Sequence, residues 1–277
     1  MKFLKKLFNF YINASIHVAL AVYALVRITE RYFGLPYNEP LDYVIFYGTI
    51  SGYNYIKYAG IAKLHHRSLT PALRWIQVFS ACCFLAMLYY ASLLAVSTLY
   101  CLVPFLGLTL LYEIPFLRKK QLNLRSVPML KIGLIAVVWS GVTTVVPLLS
   151  ETAIAPATIA VLFVQRLLFV VVLTLPFDIR DLQFDAASLQ TLPQYAGLVH
   201  VKKIGAVLLF LTLVLEFYIA PSSVFRQVYF GVFFLLLLFL MYSKAAQTKY
   251  YASFWVESVP IFWWFALVVF LNVAPSF

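Results

Sequence analysis

Residues Trp75 to Tyr112 read WIQVFSACCFLAMLYYASLLAVSTLYCLVPFLGLTLLY, a stretch without one Asp, Glu, Lys, Arg or His. As a single helix it would be about 57 Å long, nearly twice the roughly 30 Å thickness of the hydrocarbon core of a bilayer. It has to fold back on itself. Ser92 to Thr98 is the place for the turn, which gives spans of about 75–92 and 95–112. The composition agrees: of 277 residues, 64% are hydrophobic and 11% charged, whereas charged residues make up about a quarter of a soluble domain. This is the composition of a polytopic membrane protein.

Working outward, the other apolar runs lie at about 12–30, 41–58, 127–149, 155–177, 201–219, 224–242 and 255–273. They are punctuated by Pro40 and Asp42, by Lys57, by Pro147, Glu151 and Pro156, and by Pro221-Ser222-Ser223. The basic start Met1-Lys2-Phe3-Leu4-Lys5-Lys6, with Ala19-Leu20-Ala21 behind it, could be a cleaved signal. The apolar run continues to about Val26, however, and many more follow, so it reads as a first span. The expected fold is therefore all-α, with nine transmembrane helices forming one domain over residues 1–277. No span reads as a broken helix with a polar site at mid-membrane, which argues against a small-solute transporter. Cys82, Cys83 and Cys101 have no C-x-x-C spacing and read as small core residues.

The net charge of +11 does not point to nucleic acid, because the basic residues lie between apolar runs. With the N-terminus inside, 17 of the 21 Lys and Arg fall in or beside inner segments, as the positive-inside rule requires. The chain is then expected in the inner (plasma) membrane of a bacterium, with its N-terminus cytoplasmic and its C-terminus on the opposite side. Two long inner segments, about 58–74 and 178–200, are four helices apart, the spacing that duplication of a four-helix unit would give.

The second of these holds the densest chemistry. Within Pro176-Phe177-Asp178-Ile179-Arg180-Asp181-Leu182-Gln183-Phe184-Asp185, three of the chain's ten carboxylates fall within eight positions. On a helix, Asp178, Asp181 and Asp185 share an arc of roughly 60°. Like charges so placed repel by a few tenths of a kcal/mol per pair. A site that accepts this cost holds a cation, and hard oxygen ligands favour magnesium bridged to a phosphate. An acidic solvated loop is the plainer alternative.

Nine spans, long inner segments after the second and sixth, and the run from Asp178 to Asp185 followed by Thr191-Leu192-Pro193 and Gly197 resemble the UbiA superfamily of intramembrane prenyltransferases. Leu111-Tyr112-Glu113-Ile114-Pro115 with Arg118-Lys119 is similar to that family as well. The resemblance implies a helical bundle around a lipid-open cavity on the cytoplasmic side, and magnesium held by two aspartate motifs against the diphosphate of an isoprenyl donor. The reaction it implies is transfer of the prenyl group, as an allylic cation, to an aromatic or other acceptor. The implied partners are an isoprenyl diphosphate and membrane lipid.

The family's first motif, N-D-x-x-D-x-x-x-D, is degenerate here. Asn54 stands at its first position, and Tyr55, Tyr58 and Ala62 stand where the aspartates belong. A tyrosine phenol, with a pKa near 10, is a poor magnesium ligand, so one metal site is expected rather than two, on Asp178, Asp181 and Asp185. Lys57, Arg67, Arg180 and Lys63 are candidates for the diphosphate, with Asn54 on the same rim. Tyr55 and Tyr58 are candidates to face the allylic cation. The alternative is a non-catalytic lipid- or isoprenoid-binding protein on the same fold, with Lys57 or Arg180 neutralising the remaining aspartates. Tyr53 reads as part of an interfacial aromatic belt, and Arg166 is expected to form a buried pair with Glu216. His65 and His66, adjacent in sequence, point about 100° apart on a helix and make a poor metal pair.

Overall fold

The computed structural model describes residues 2–62, 70–113, 127, 130–149, 151, 153–183 and 190–273. Every regular element among them is helical: α1 (Lys2–Asn13), α2 (Ile16–Tyr32), α3 (Glu39–Ala62), α4 (Pro71–Ser92), α5 (Val96–Glu113), α6 (Leu130–Ser140), α7 (Val146–Leu148), α8 (Pro156–Asp181), α9 (Leu192–Ile219), α10 (Ser223–Tyr242) and α11 (Val259–Val273). Two π-helical segments complete the set, Gly141–Val145 between α6 and α7 and Tyr251–Val256 ahead of α11.

Among the described residues six helical stretches are long and apolar enough to cross a membrane: α4, α6 through α7, α8, α9, α10 and Tyr251–Asn272. The pair α1–α2 passes the same test as a unit bent by 54°. The protein is thus an all-helical, polytopic membrane protein. Helix α5 is a shorter apolar helix, and α3 carries Glu39, Asp42, Asn54 and Lys57 along its 24 residues. The apolar runs read from the sequence lie in helical stretches among the described residues, the first crossing the α1–α2 break and the fifth a π segment. The fold-back after Ser92 occupies Leu93 to Ala95, and Pro221 and Ser222 separate α9 from α10.

Packing runs in a closed circuit, α2 on α3, α3 on α5, α5 on α6, α6 on α8, α8 on α9, α9 on α10, α10 on α11 and α11 back on α2, with α4 against the outside of α3. Burial follows this circuit. Leu25, Ile28, Phe169, Leu173, Leu175, Tyr229, Leu236 and Trp263 are all within 2% of complete burial, while Phe84, Leu85, Tyr100 and Phe217 are left outside, as lipid-facing residues are in a bundle that lacks a hydrophobic drive between helices.

Two irregularities were not visible in the sequence. The first is at Gly141–Val145, inside a span that reads as unbroken. Pro147 has no N–H to give the carbonyl four residues earlier, and the freed Thr143 carbonyl accepts instead from Thr29 Oγ1 at 2.6 Å. The Phe105 ring of α5 lies so close to Gly141 that a Cβ there would collide with it. The second is at the α1–α2 junction, where Ser15 takes the left-handed conformation at φ 61°.

That break is held from α3. Ser15 Oγ donates to Asn54 Oδ1 at 2.8 Å, and Asn54 Nδ2 donates to the Ala14 carbonyl at 3.0 Å and to Ser80 Oγ at 2.7 Å. Lys57 Nζ donates to Ser15 Oγ at 2.8 Å, and the Tyr58 hydroxyl donates to the Asn13 carbonyl at 2.9 Å. Asn54 is 3% exposed, so water cannot substitute for its amide. Asn54→Ala is expected to cost about 2 kcal/mol, because each buried group left unsatisfied costs about 1–3 kcal/mol. A thermal-unfolding series in detergent measures it, and Asn54→Asp, which faces the Ala14 carbonyl with an acceptor, should not restore stability.

Candidate functional site

The last turn of α8 brings Asp178 and Asp181 to one side of the helix, three residues apart as the spacing requires. Pro176, two residues earlier, leaves α8 unbroken, and its own carbonyl accepts from Gln247 Nε2 at 2.7 Å. Both carboxylates reach the same cation. Lys131 Nζ, from the first turn of α6, lies 3.0 Å from Asp178 Oδ1 and 3.7 Å from Asp181 Oδ2. Arg180 adds a two-pronged contact to Asp181, Nε to Oδ1 at 2.8 Å and Nη2 to Oδ2 at 3.3 Å. Its guanidinium also stacks over Phe177 at 5.3 Å. Asp178 is nearly buried at 2% exposure, and Asp181 is half-buried.

A second charged group adjoins this one. Glu257, in the turn between the second π segment and α11, forms no salt bridge to Lys57 of α3 or Arg180 of α8 but lies near enough for its charge to act on both. Tyr11 and Tyr53 lie in the field of the same carboxylate. Of the residues expected to contact a diphosphate, Lys57 and Arg180 both lie within electrostatic reach of Glu257, and the structure adds Lys131 beside Asp178 and Asp181. Neither Lys131 nor Glu257 was visible in the sequence as part of the site. Each stands alone in its own apolar neighbourhood, and only the packing of α6, α8, α3 and α11 assembles them.

The other expectations fare variously. Asn54 is spent on the α1–α2 break, and the Tyr58 hydroxyl points to the same break. Tyr55 is exposed. Tyr53 is an internal contact rather than part of an interfacial belt, its hydroxyl accepting from Trp139 Nε1 at 2.9 Å. Asp185, Arg67, Lys63, His65, His66 and the Arg118-Lys119 pair lie outside the described residues. Among the cysteines only Cys83 is buried, while Cys82 is exposed.

Arg166 and Glu216 do meet in one buried cluster, but not as the direct pair expected. Arg166 Nη1 donates to the Leu25 carbonyl at 3.0 Å, and its guanidinium sits over Trp263 at 5.2 Å. Glu216 accepts from the Tyr32 hydroxyl at 2.7 Å and from Gln165 Nε2 at 2.6 Å. The two charges act on each other through this hydrogen-bonded shell. Each is instead engaged by other groups, Arg166 also by Thr29 Oγ1 at 3.4 Å and Glu216 by Tyr32 and Gln165.

Among the described residues no three Asp, Glu, His or Cys side chains converge as a metal-binding group. Asp178 and Asp181 do converge as a pair, on the Lys131 ammonium. Magnesium is bound through one or two carboxylates plus phosphate oxygens, so two carboxylate oxygens aimed at one cationic centre fit that requirement, with the ammonium in the cation's place. Comparison with protein-family models, with curated proteins and with solved structures finds no match.

Proposed function

We propose that this chain is a UbiA-like intramembrane prenyltransferase of nine spans, with the Lys- and Arg-rich ends of its helices in the cytoplasm. Its substrate is an isoprenyl diphosphate, and its site is the group formed by Lys57, Arg180, Lys131, Asp178, Asp181 and Glu257. The observation that carries this reading is the meeting of Asp178, Asp181 and Arg180 of α8 with Lys131 of α6 at the end of an apolar bundle, with Lys57 of α3 and Glu257 of the turn before α11 within electrostatic reach. Such a set is costly to assemble beside a membrane, and Asp178 and Asp181 are already matched by Lys131 and Arg180. A diphosphate entering it must bring counter-charge, which is what a magnesium ion supplies when bound to Asp178 and Asp181. Lys57 and Arg180 then contact the phosphate oxygens, Arg as a planar fork and Lys as a point charge. The isoprenyl tail lies along the apolar helices, and the acceptor is aromatic or lipid.

A second reading has its own observation. Lys131 joins Asp178 to Asp181, so the chain carries an internal cation where the metal is expected. On this reading the protein binds an isoprenoid lipid without turning it over.

Thermal stability separates the two, since a ligand that binds only the folded state raises it by mass action. With geranylgeranyl diphosphate at about 100 times its Kd the stabilisation is about 2.7 kcal/mol. On the enzyme reading the shift requires magnesium and is lost in Asp181→Asn, and prenylated product or released pyrophosphate accumulates. A shift indifferent to magnesium and to Asp181 rejects that reading in favour of lipid binding, and no shift with either addition rejects both.

A further inference from the structure

The N-terminal helix does a job that the charged site does not require of it. In α1 the sequence Lys2-Phe3-Leu4-Lys5-Lys6-Leu7-Phe8-Asn9-Phe10-Tyr11-Ile12-Asn13 divides cleanly at helical spacing. Lys2, Lys5, Lys6, Asn9 and Asn13 share one face, and the apolar side chains cover the other. The C-terminal half of that apolar face is used on the protein. Phe8 packs edge-on against Tyr250 and Phe254 at 5.0 and 5.1 Å, Phe10 against Phe79 at 5.6 Å, and the Tyr11 hydroxyl donates to His17 Nδ1 at 2.7 Å. Asn9 Oδ1 accepts from Lys249 Nζ at 2.9 Å and from the Tyr250 hydroxyl at 2.6 Å. The N-terminal half of the same face is bare, with Phe3, Leu4 and Leu7 exposed at 74%, 67% and 56%. Lys5 and Lys6 are exposed beside them.

The direction of this half-bare helix is fixed. The 54° bend turns α1 away from the axis of α2, and Asn54, Lys57 and Tyr58 hold the break from α3. The aromatic contacts to Phe79 and Phe254 then hold its far half across α4 and the second π segment. A continuous apolar stripe flanked only by lysines, on a helix turned off the bundle axis, is the pattern of a helix lying in the membrane–water interface. There is no acidic residue in α1 to oppose the lysines.

We infer that α1 is an interfacial anchor that seats Phe3, Leu4 and Leu7 among acyl chains and binds anionic phospholipid head groups through Lys5 and Lys6, with Lys2 in the same register. The occupant is set by charge complementarity, since juxtamembrane lysines gain from an anionic leaflet and not from a neutral one. This inference does not depend on what the charged site binds.

The test uses the full chain in phosphatidylcholine vesicles and in the same vesicles with a third of phosphatidylglycerol. A bimane probe is placed at Leu7→Cys in a background with Cys82 and Cys101 replaced by Ser. Nitroxide-labelled phosphatidylglycerol and phosphatidylcholine are compared as quenchers. The expected result is efficient quenching by both, with several-fold preference for the glycerol lipid. Lys5→Gln with Lys6→Gln should abolish that preference, bringing it close to unity, with the thermal midpoint unchanged. High salt should lower the preference in the unaltered chain, a check that needs no variant. A water-exposed probe, equal quenching by the two lipids, or quenching that follows protein density and so reveals a second copy at the stripe would each overturn the inference.

Discussion

Glu216→Gln is expected to lower the thermal midpoint in detergent by on the order of 10 °C, equivalent to about 3 kcal/mol for a chain of this size. Glu216 is fully buried, and both its oxygens are in use, one accepting from Tyr32 and the other from Gln165. A glutamine can accept only once at that position, so either the Tyr32 hydroxyl or the Gln165 amide meets a donor. Reversal of the Gln165 amide does not help, because Gln165 Nε2 also donates to the Thr212 carbonyl at 3.3 Å. The larger part of the cost is electrostatic. Arg166 is 1% exposed, and its charge loses the carboxylate of Glu216 that acts on it. Breaking a buried charge pair costs about 3–5 kcal/mol because the survivor stays buried and uncompensated. Arg166→Leu should therefore be similarly harmful. The double variant should be less harmful than the sum, since it leaves no lone charge, and coupling of at least about 1 kcal/mol is expected between residues of one network. Strict additivity in the cycle would show that the two charges do not communicate.

At the charged site two substitutions are expected to move ligand affinity in opposite directions. Lys57→Met removes a charge-assisted contact worth about 1.5–3 kcal/mol, so the affinity for geranylgeranyl diphosphate falls roughly 10- to 100-fold. Glu257→Gln removes the carboxylate that competes with the diphosphate for Lys57 and Arg180, and affinity rises several-fold. Because Lys57 also donates to Ser15 Oγ, Lys57→Met carries a stability cost of its own. Isothermal titration of the folded protein at low temperature separates that cost from affinity. Opposite signs for the two variants are the signature of an anion held between these cations. A fall in both would make Glu257 a ligand-contacting group rather than a competitor, and no change in either would place the diphosphate elsewhere.

The helix pattern was legible because it is local. A bilayer demands long apolar helices, and proline and serine clusters such as Pro221-Ser222-Ser223 mark their ends. The register of Asp178 and Asp181 was legible for the same reason, since residues three apart share a face in any helix. Lys131 and Glu257 escaped notice because a lone charge at the edge of an apolar run looks the same whether it meets water or a carboxylate from another helix. Asn54 matched a motif letter, yet its amide serves the backbone of a different helix. The break at Ser15 carries no Gly or Pro to announce it and exists only because α3 supplies the hydrogen bonds that the interrupted backbone lacks.

Composition and period thus determined by themselves that this chain is a bundle of membrane-crossing helices with Asp178 and Asp181 on one side of a helix end. Only the tertiary structure decided which cations those acids face and why α1 turns aside, because ion pairs and helix breaks are settled by partners that lie far apart along the chain and close in space.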